Sequence, residues 1–256
     1  MEYVSSDEMF ELVHGRRTDD PEWFMFGDTV VVPNDIVSIL APQMSESRKG
    51  TIERVLADRT DNLTVVVEGM VDLGNVSAVM RTADGFGVQA VHAIDTADVY
   101  KRSRRTTRGT DKWIDRYRWA DVEACFRYLR SDGYRIVVAD IGDGAAPIND
   151  IDLTQRSAFV FGNELEGVSH AAREAADVAV TIPMAGFADS FNISVAAAIV
   201  LFEAKRQRWA RFGTSGDLSE SDTERVRAVW YLKSVRESRL HIERALADGY
   251  GSTGIE

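Results

Sequence analysis

The sequence predicts an α/β fold with a mainly parallel sheet flanked by helices. Short runs such as LTVVV at 63–67 and AFVFGN at 158–163 are continuous apolar segments, typical of strands covered on both faces. Segments with apolar residues at helical spacing separate these runs, and such alternation favours parallel strands joined by helices. The 256-residue chain contains no internal repeat and no low-complexity tract.

The elements follow one another in the order that this fold requires. Apolar residues at helical spacing predict helices over 45–59, 71–87 and 121–131. Continuous apolar runs predict strands over 63–67, 88–94, 134–139, 158–163 and 178–183. An apolar helix opening at Ser190 and a charged amphipathic helix or helix pair over 218–247 complete the series. Because the helix after Ser190 has almost no polar face, we expect it to be buried.

Charge is distributed unevenly along the chain. The formal net charge of −11 argues against a protein that coats nucleic acid non-specifically. Residues 1–44 carry nine acidic side chains against two arginines, and only a strand-like segment at 28–33 stands out among them. We therefore interpret residues 1–44 as an acidic N-terminal extension.

Cysteine and histidine usage narrows the chemistry. The single cysteine, Cys125, excludes internal disulfides and a multi-cysteine zinc site, and it fits a reducing compartment. The four histidines are too scattered for a local metal-binding motif, so we expect no metal. The N-terminus does not resemble a signal peptide, and the longest apolar block, 195–202, is too short to cross a membrane. These features predict a cytoplasmic protein.

One segment, 101–118, is strongly basic. It holds eight basic residues against two acidic ones and interleaves them with Trp113 and Tyr117. Basic and aromatic side chains together bind phosphates and stack on bases, although a solvated loop has the same composition. The candidate RNA-binding residues are Lys101, Arg102, Arg104, Arg105, Arg108 and Lys112.

Polar residues also follow the predicted strands. Asn75 is placed as the N-cap of the helix over 71–87, and Arg81 lies roughly 150° from the apolar stripe of that helix. Gly162 and Gly167 allow a close approach of the backbone to a ligand. Glu164 comes at the carboxyl end of a strand, where open α/β sheets bind ligands. Each polar side chain here has a simpler interpretation as a solvated surface residue.

The loop before the apolar helix is the third polar segment. Ser190 and Asn192 form its first turn, and the unpaired N–H groups of a helix N-terminus attract polar or anionic ligand atoms. A simple capping role is the alternative. No GxSxG elbow or P-loop occurs, and Gly142 with Gly144 gives only half of a dinucleotide fingerprint. Serine-hydrolase, NTPase and NAD-type interpretations are therefore disfavoured.

Three segments resemble, in order and spacing, the motifs of the SPOUT superfamily RNA 2′-O-ribose methyltransferases, and most of all their TrmH (SpoU) branch. The segments are GNVSAVMRTADGFG at 74–87, FVFGNELEGVS at 159–169 and IPMAGFADSFNISVAAAIVLFEAKRQR at 182–208. The preceding RKGTIERVLADRTDNLTVVVEGM at 48–70 resembles the region before motif one of enzymes that methylate the D-loop guanosine of tRNA. Three ordered motifs are specific where one is weak.

The resemblance implies a methyltransferase domain over 45–212 and leaves 213–256 as a C-terminal helical extension. It implies a C-terminal deep trefoil knot, a rare exception to un-knotted topology, and a homodimer. The implied cofactor is S-adenosylmethionine. The implied reaction is methylation of a ribose 2′-OH, in RNA and foremost at the D-loop guanosine, position 18, of tRNA.

Site residues are carried over position by position. The family's catalytic and supporting positions fall on Arg81, Asn75, Glu164, Ser190 and Asn192. Its cofactor-contacting positions fall on Ala139, Gly162, Gly167, Ile182, Met184 and Phe191. Two positions depart from the family pattern, because Phe191 replaces a usual leucine and Ala139 a frequent threonine.

Two alternatives remain open on the sequence. An rRNA 2′-O-methyltransferase of the same branch would carry the same motifs. A non-catalytic RNA-binding paralogue is the other, since the larger Phe191 side chain changes the predicted wall of the cofactor site.

Overall fold

A computed structural model describes residues 21–69, 73–94, 112–142, 144–163 and 166–250. Its strands are β1 (Met25–Phe26), β2 (Thr29–Val30), β3 (Leu63–Glu68), β4 (Ala90–Ile94), β5 (Asp115–Trp119), β6 (Arg135–Ala139), β7 (Ala146–Pro147), β8 (Ser157–Phe161) and β9 (Val178–Thr181). Its α-helices are α1 (Pro33–Leu40), α2 (Glu46–Leu56), α3 (Leu73–Gly85), α4 (Val122–Ser131), α5 (His170–Glu174), α6 (Ile193–Phe212), α7 (Glu220–Ser234) and α8 (Ser238–Ala247).

Contacts divide the described residues into two compact units. The sheet unit comprises 59–217, and the helical unit comprises 21–58 together with 218–250. Helix α2 groups with α7 in the helical unit. A bidentate ion pair between Arg227 of α7 and Glu53 of α2, with N–O distances of 2.8 and 2.9 Å, accompanies their packing.

The sheet unit is built on a seven-stranded sheet in the order β5-β4-β3-β8-β6-β9-β7. Every strand pair in it is parallel, so the predicted α/β fold with a parallel sheet is confirmed. The central strands β3 and β8 are paired with Val65 opposite Phe159 and Val66 opposite Val160. These four side chains are buried, as expected for strands covered on both faces.

Alternate residues of the central strands β3, β6 and β8 enter two separate hydrophobic clusters. Val65 of β3 packs in the cluster that contains residues of α3 and α6. Its neighbour Val66 packs in the opposite cluster, which contains Phe126 and Leu129 of α4. Since successive side chains of a strand point to opposite faces, one run of valines serves both cores.

The helical unit contains α1, α2, α7, α8 and the small antiparallel pair β1–β2. Helix α1 lies in the part of the chain where the sequence shows no reliable periodicity. Its Ile36 and Leu40 are fully buried, and α1 contacts both α7 and α8. The short β2 falls within the predicted strand-like segment at 28–33.

Strand β5 begins inside the basic segment 101–118, which we interpreted as a loop, and ends one residue beyond it. Within β5, Tyr117 and Trp119 point to one face and stack on His92 of β4, with a ring-centroid distance of 4.5 Å between Tyr117 and His92. Trp119 donates its Nε1–H to His92 Nδ1 at 3.0 Å. The arginines of β5 alternate with these rings. Of the two aromatic residues that suggested base stacking, Tyr117 therefore belongs to a side-chain cluster at the sheet edge.

The expectation that the apolar helix after Ser190 is buried all round is wrong for α6. One face of α6 packs in the core through residues such as Leu201. The opposite face exposes Val195, Phe202 and Trp209, which are 44%, 60% and 58% accessible. Apolar composition alone does not distinguish burial within one chain from burial against a second chain.

Candidate active site

A cleft of about 210 Å³ lies at the carboxyl ends of β6, β8 and β9 in the sheet unit. This is the edge at which open parallel sheets bind ligands. The structure brings all six predicted cofactor-contacting residues to this cleft, and Ser190 with them. The six residues are Ala139, Gly162, Gly167, Ile182, Met184 and Phe191.

Two glycines bring separate backbone segments into contact at one wall of the cleft. A Cβ atom at Gly162 would lie 1.9 Å from the Gly167 carbonyl carbon and 2.1 Å from the Val168 nitrogen. Gly167 has a φ of 68°, in the left-handed region that favours glycine. The Gly167 N–H donates to the Asn163 carbonyl at 3.0 Å. Where these two segments cross, backbone atoms form the wall of the cleft.

Asn192 joins the first and third motifs. Its side-chain oxygen accepts the Ser194 backbone N–H at 3.0 Å, which makes Asn192 the N-cap of α6. Its amide nitrogen donates to Asn75 Oδ1 at 3.1 Å. Asn75 was expected to cap α3, but it lies inside that helix, where its side chain is directed to Asn192 instead. The bond fixes the start of α6 against α3.

Arg81 lies on the exposed face of α3, as the angle from the apolar stripe predicts. It is six positions after Asn75, which corresponds to a rise of about 9 Å along the helix axis. Arg81 is not among the residues that line the cleft. Its side chain makes no hydrogen bond or ion pair with any described residue. The guanidinium is therefore available to a ligand on that face of α3.

Three charged side chains line the cleft without having been singled out from the sequence: Asp140, Glu166 and Arg173. Asp140 Oδ2 is 2.8 Å from Arg173 Nε. Asp140 directly follows β6, so its place at the carboxyl end of a strand could have identified it. Arg173 lies on the short helix α5, where no sequence signal marks it.

A buried carboxylate supports the segment that carries the second motif. Glu68, the last residue of β3, accepts the Ser169 backbone N–H at 2.9 Å, and it is only 3% exposed. The Ser169 hydroxyl in turn caps α5 by accepting the Ala172 N–H at 3.1 Å. Burial, followed by the charges of Glu68 and Asp121, raises the pKa of the nearby Cys125 thiol. Cys125 is therefore an unreactive core residue.

Several predicted residues lie outside the described ranges. They are Glu164 of the second motif and Lys101, Arg102, Arg104, Arg105 and Arg108 of the basic segment. The remaining candidate of that segment, Lys112, is exposed, with its Nζ atom 4.4 Å from the centroid of the Trp113 ring.

Two features are absent from the ranges that the structure describes. There, no three histidine, cysteine, aspartate or glutamate side chains are grouped so that they could bind a metal ion. Within the same ranges, none of the helices combines the length and apolar character that a membrane span needs.

Comparison with known proteins identifies the family. Residues 62–202, all within the sheet unit, match the SpoU rRNA Methylase family over more than half of the chain. The chain belongs to the SpoU methylase family. This match covers the three motifs through Phe202, and it includes the cleft and Arg81.

Members of this family with assigned activities are similar along most of their length. A Thermus thermophilus protein named tRNA (guanosine(18)-2′-O)-methyltransferase is 37% identical over 65% of this chain and 86% of its own. A Borreliella burgdorferi protein of the same name is 32% identical over 78% of this chain and 91% of its own. A Haemophilus influenzae 23S rRNA (guanosine-2′-O-)-methyltransferase, RlmB, is 32% identical over 64% of this chain and 67% of its own.

Solved structures of SpoU proteins share the fold. The TrmH/SpoU tRNA modifying enzyme of A. aeolicus has a TM-score of 0.68 at 30% identity, over 75% of this chain and 98% of its own. The SpoU methyltransferase AviRb of Streptomyces viridochromogenes, solved in complex with AdoMet, has a TM-score of 0.54 at 33% identity, over 62% of this chain and 64% of its own.

Proposed function

We propose that this protein is an S-adenosylmethionine-dependent RNA methyltransferase that methylates a ribose 2′-OH, with the D-loop guanosine at position 18 of tRNA as its substrate. The observation that carries the proposal is the hydrogen bond between Asn192 and Asn75. It joins the helix that bears Arg81 to the loop that lines the cleft, so one polar contact links the proposed RNA-binding residue with the proposed cofactor site.

The cleft has the chemistry that S-adenosylmethionine needs. Ile182, Met184 and Phe191 provide apolar surface for an adenine ring, and the Gly162–Gly167 crossing presents backbone groups in place of side chains. The charged Asp140, Glu166 and Arg173 also line the cleft. Their charges suit the zwitterionic amino-acid end of the cofactor. When bound, the cofactor supplies a methyl group on a positively charged sulfur, which makes that carbon an electrophile.

Arg81 is proposed to bind the phosphate next to the target ribose. An arginine stays protonated in proteins, so we assign it the role of positioning the phosphate and stabilising negative charge as the 2′-OH passes its proton to the neighbouring phosphate or to water. Asn75, Ser190, Asn192 and Glu164 are proposed to orient the ribose and Arg81. Holding the hydroxyl in line with the methyl group contributes by alignment.

We further propose that two copies of the chain associate through the exposed face of α6. Val195, Phe202 and Trp209 recur every seven residues, so they form one continuous stripe along the helix. An exposed apolar stripe of this length is typical of a protein–protein contact. The resemblance implies a homodimer, and a second copy provides the partner of matching chemistry.

We also propose a knotted chain, a cytoplasmic location and an RNA contact in the basic segment. A trefoil knot in the C-terminal half agrees with the sheet order, in which β6 lies between β8 and β9, two strands that follow it in the chain. The cytoplasm suits a protein whose one cysteine is free and buried. The basic segment 101–112 is proposed as an RNA contact.

The experiment that tests the function is methyl transfer from labelled S-adenosylmethionine to separated tRNA and rRNA pools, followed by nucleoside mass spectrometry. We expect 2′-O-methylguanosine in the D-loop of tRNA. Arg81→Ala should lower kcat by about 100-fold, the size typical for removing one stabilising donor, and leave S-adenosylhomocysteine binding unchanged. The control Arg127→Ala removes an exposed arginine of α4 whose one ion-pair partner among the described residues is its helix neighbour Glu123.

Each contrary outcome has a defined meaning. Methylation of rRNA alone would assign the protein to the RlmB type of activity. Binding of RNA without methylation of either pool would make it an RNA-binding paralogue. Near wild-type kcat in Arg81→Ala would remove Arg81 from the proposed mechanism.

A further inference from the structure

Among the described residues that line the cleft, one side chain is positively charged. Of the side chains that line it, Arg173 is the cation, Asp140 and Glu166 are the anions, and most of the others are apolar. Arg173 is 43% exposed, whereas the Asp140 side chain is only 10% exposed. An arginine held at the wall of a largely apolar cleft is positioned to bind an anionic group of a ligand.

Asp140 is itself fixed by two hydrogen bonds with backbone groups. Its backbone N–H donates to the Val180 carbonyl at 2.9 Å, and its Oδ1 atom accepts the Ile141 N–H at 2.9 Å. The second oxygen, Oδ2, is therefore directed at Arg173 Nε, 2.8 Å away. The ion pair thus engages one edge of the guanidinium and leaves its two terminal nitrogens for other acceptors.

Those terminal nitrogens lie beside the backbone crossing. Arg173 Nη2 is 3.4 Å from the position that a Cβ atom at Gly167 would occupy, so the absence of a side chain there gives the guanidinium room. Apart from the pair with Asp140, the Arg173 side chain makes no hydrogen bond or ion pair with any residue that the structure describes.

We propose that Arg173, held in place by Asp140, binds the carboxylate of the methionyl end of the cofactor. The inference rests on the proposed function, since it takes S-adenosylmethionine as the ligand of the cleft. The carboxylate is the one anionic group of that molecule, and a guanidinium presents two parallel N–H donors that match a carboxylate. Arg173 is therefore proposed as a cofactor-specificity residue.

The test compares two ligands that differ only in that carboxylate. They are S-adenosylhomocysteine and its decarboxylated form, which keeps the adenosine, the sulfur and the amine. We expect Arg173→Met to weaken S-adenosylhomocysteine binding by about 10- to 100-fold in calorimetry, as for a lost charge-assisted hydrogen bond. Binding of the decarboxylated ligand should change by less than about twofold, because that ligand has no group for Arg173 to hold.

Three further variants sharpen the comparison. Arg173→Lys keeps the charge without the planar fork and should give an intermediate loss. Asp140→Asn should weaken S-adenosylhomocysteine binding by a few-fold through Arg173. Arg130→Met is the matched control, because Arg130 is similarly exposed, pairs with Asp177 at 3.2 Å and lies outside the cleft. Melting temperatures establish that each variant is folded.

The outcomes separate this inference from the proposed function. Failure of the wild-type protein to bind either ligand would overturn the proposed function. Binding of both ligands by the wild type, with equal losses of the two in Arg173→Met, would show that Arg173 only packs the wall. Unchanged S-adenosylhomocysteine affinity with a raised KM for tRNA would assign Arg173 to the RNA and overturn the inference.

Discussion

At the scale of single residues, the site depends on positions where only one residue type fits. Gly162 is the clearest, because an added Cβ would overlap the backbone of Gly167 and Val168, which cannot rotate away as a side chain can. The three motifs identified Gly162 and Gly167 from the sequence. Their reason, a contact between two backbone segments, is a property of the fold.

We predict that Gly162→Ala destabilises the sheet unit and abolishes the cleft. The overlap should lower the free energy of unfolding by about 3 kcal/mol, at the upper end of the cost of overpacking, and weaken S-adenosylhomocysteine binding by at least about tenfold. Thermal melting and calorimetry measure the two effects. Gly85→Ala is the control, since nothing lies within 4 Å of its added Cβ. Equal behaviour of the two variants would refute the crossing as an essential feature.

At the scale of secondary-structure elements, α3 is anchored at both ends. The Asn75–Asn192 hydrogen bond fixes its beginning. Near its end, Asp84 pairs with Arg59 at 2.5 Å, and Arg59 also donates to the Val88 carbonyl at 2.8 Å. Arg59 is 1% exposed, and this burial lowers its pKa, against the opposing effect of Asp84. The helix that presents Arg81 is therefore held rigidly on both sides.

We predict that Asp84→Asn costs about 3 kcal/mol of unfolding free energy, because it removes the carboxylate that pairs with a buried guanidinium. Urea denaturation measures this loss. The control Glu123→Gln removes the acid of the exposed Arg127–Glu123 pair and should change stability by less than about 0.5 kcal/mol. A similar, small effect of both changes would mean that Arg59 is solvated in the folded protein.

At the scale of the whole molecule, the exposed stripe of α6 is the feature that a single chain leaves unexplained. A long helix with buried residues on one face and large apolar residues on the other is expected to pack between two layers. Among the residues of the sheet unit that the structure describes, only one of those layers is present.

We predict that the protein sediments as a dimer of 28.5 kDa chains and that Phe202→Asp shifts it toward the monomer. A charge at the centre of the stripe would be buried without a partner in the dimer. Val30→Asp changes an equally exposed valine of the helical unit and should leave the mass unchanged. A wild-type protein that stays monomeric at micromolar concentration would contradict the proposal for α6.

Much of the secondary structure could be predicted from the local pattern of apolar residues. The strands β3, β6, β8 and β9 and the helices α2, α3 and α4 were predicted within a few residues, because their apolar periodicity is strong. Helix α1 and strand β5 were missed. The first is short and lies in an acidic segment, and the second alternates arginines with aromatic side chains, a pattern shared with nucleic-acid-binding loops.

The sequence by itself determined the parallel α/β class, the family and the residues that form the wall of the cleft, because periodicity and ordered motifs are local properties of the chain. Only the tertiary structure decided which distant groups meet. It joined Asn75 to Asn192, placed Arg173 against Asp140 and left one face of α6 exposed. The two contacts link residues that are 117 and 33 positions apart, and the exposure of α6 depends on what packs against it. None of the three is encoded in the spacing of neighbouring residues.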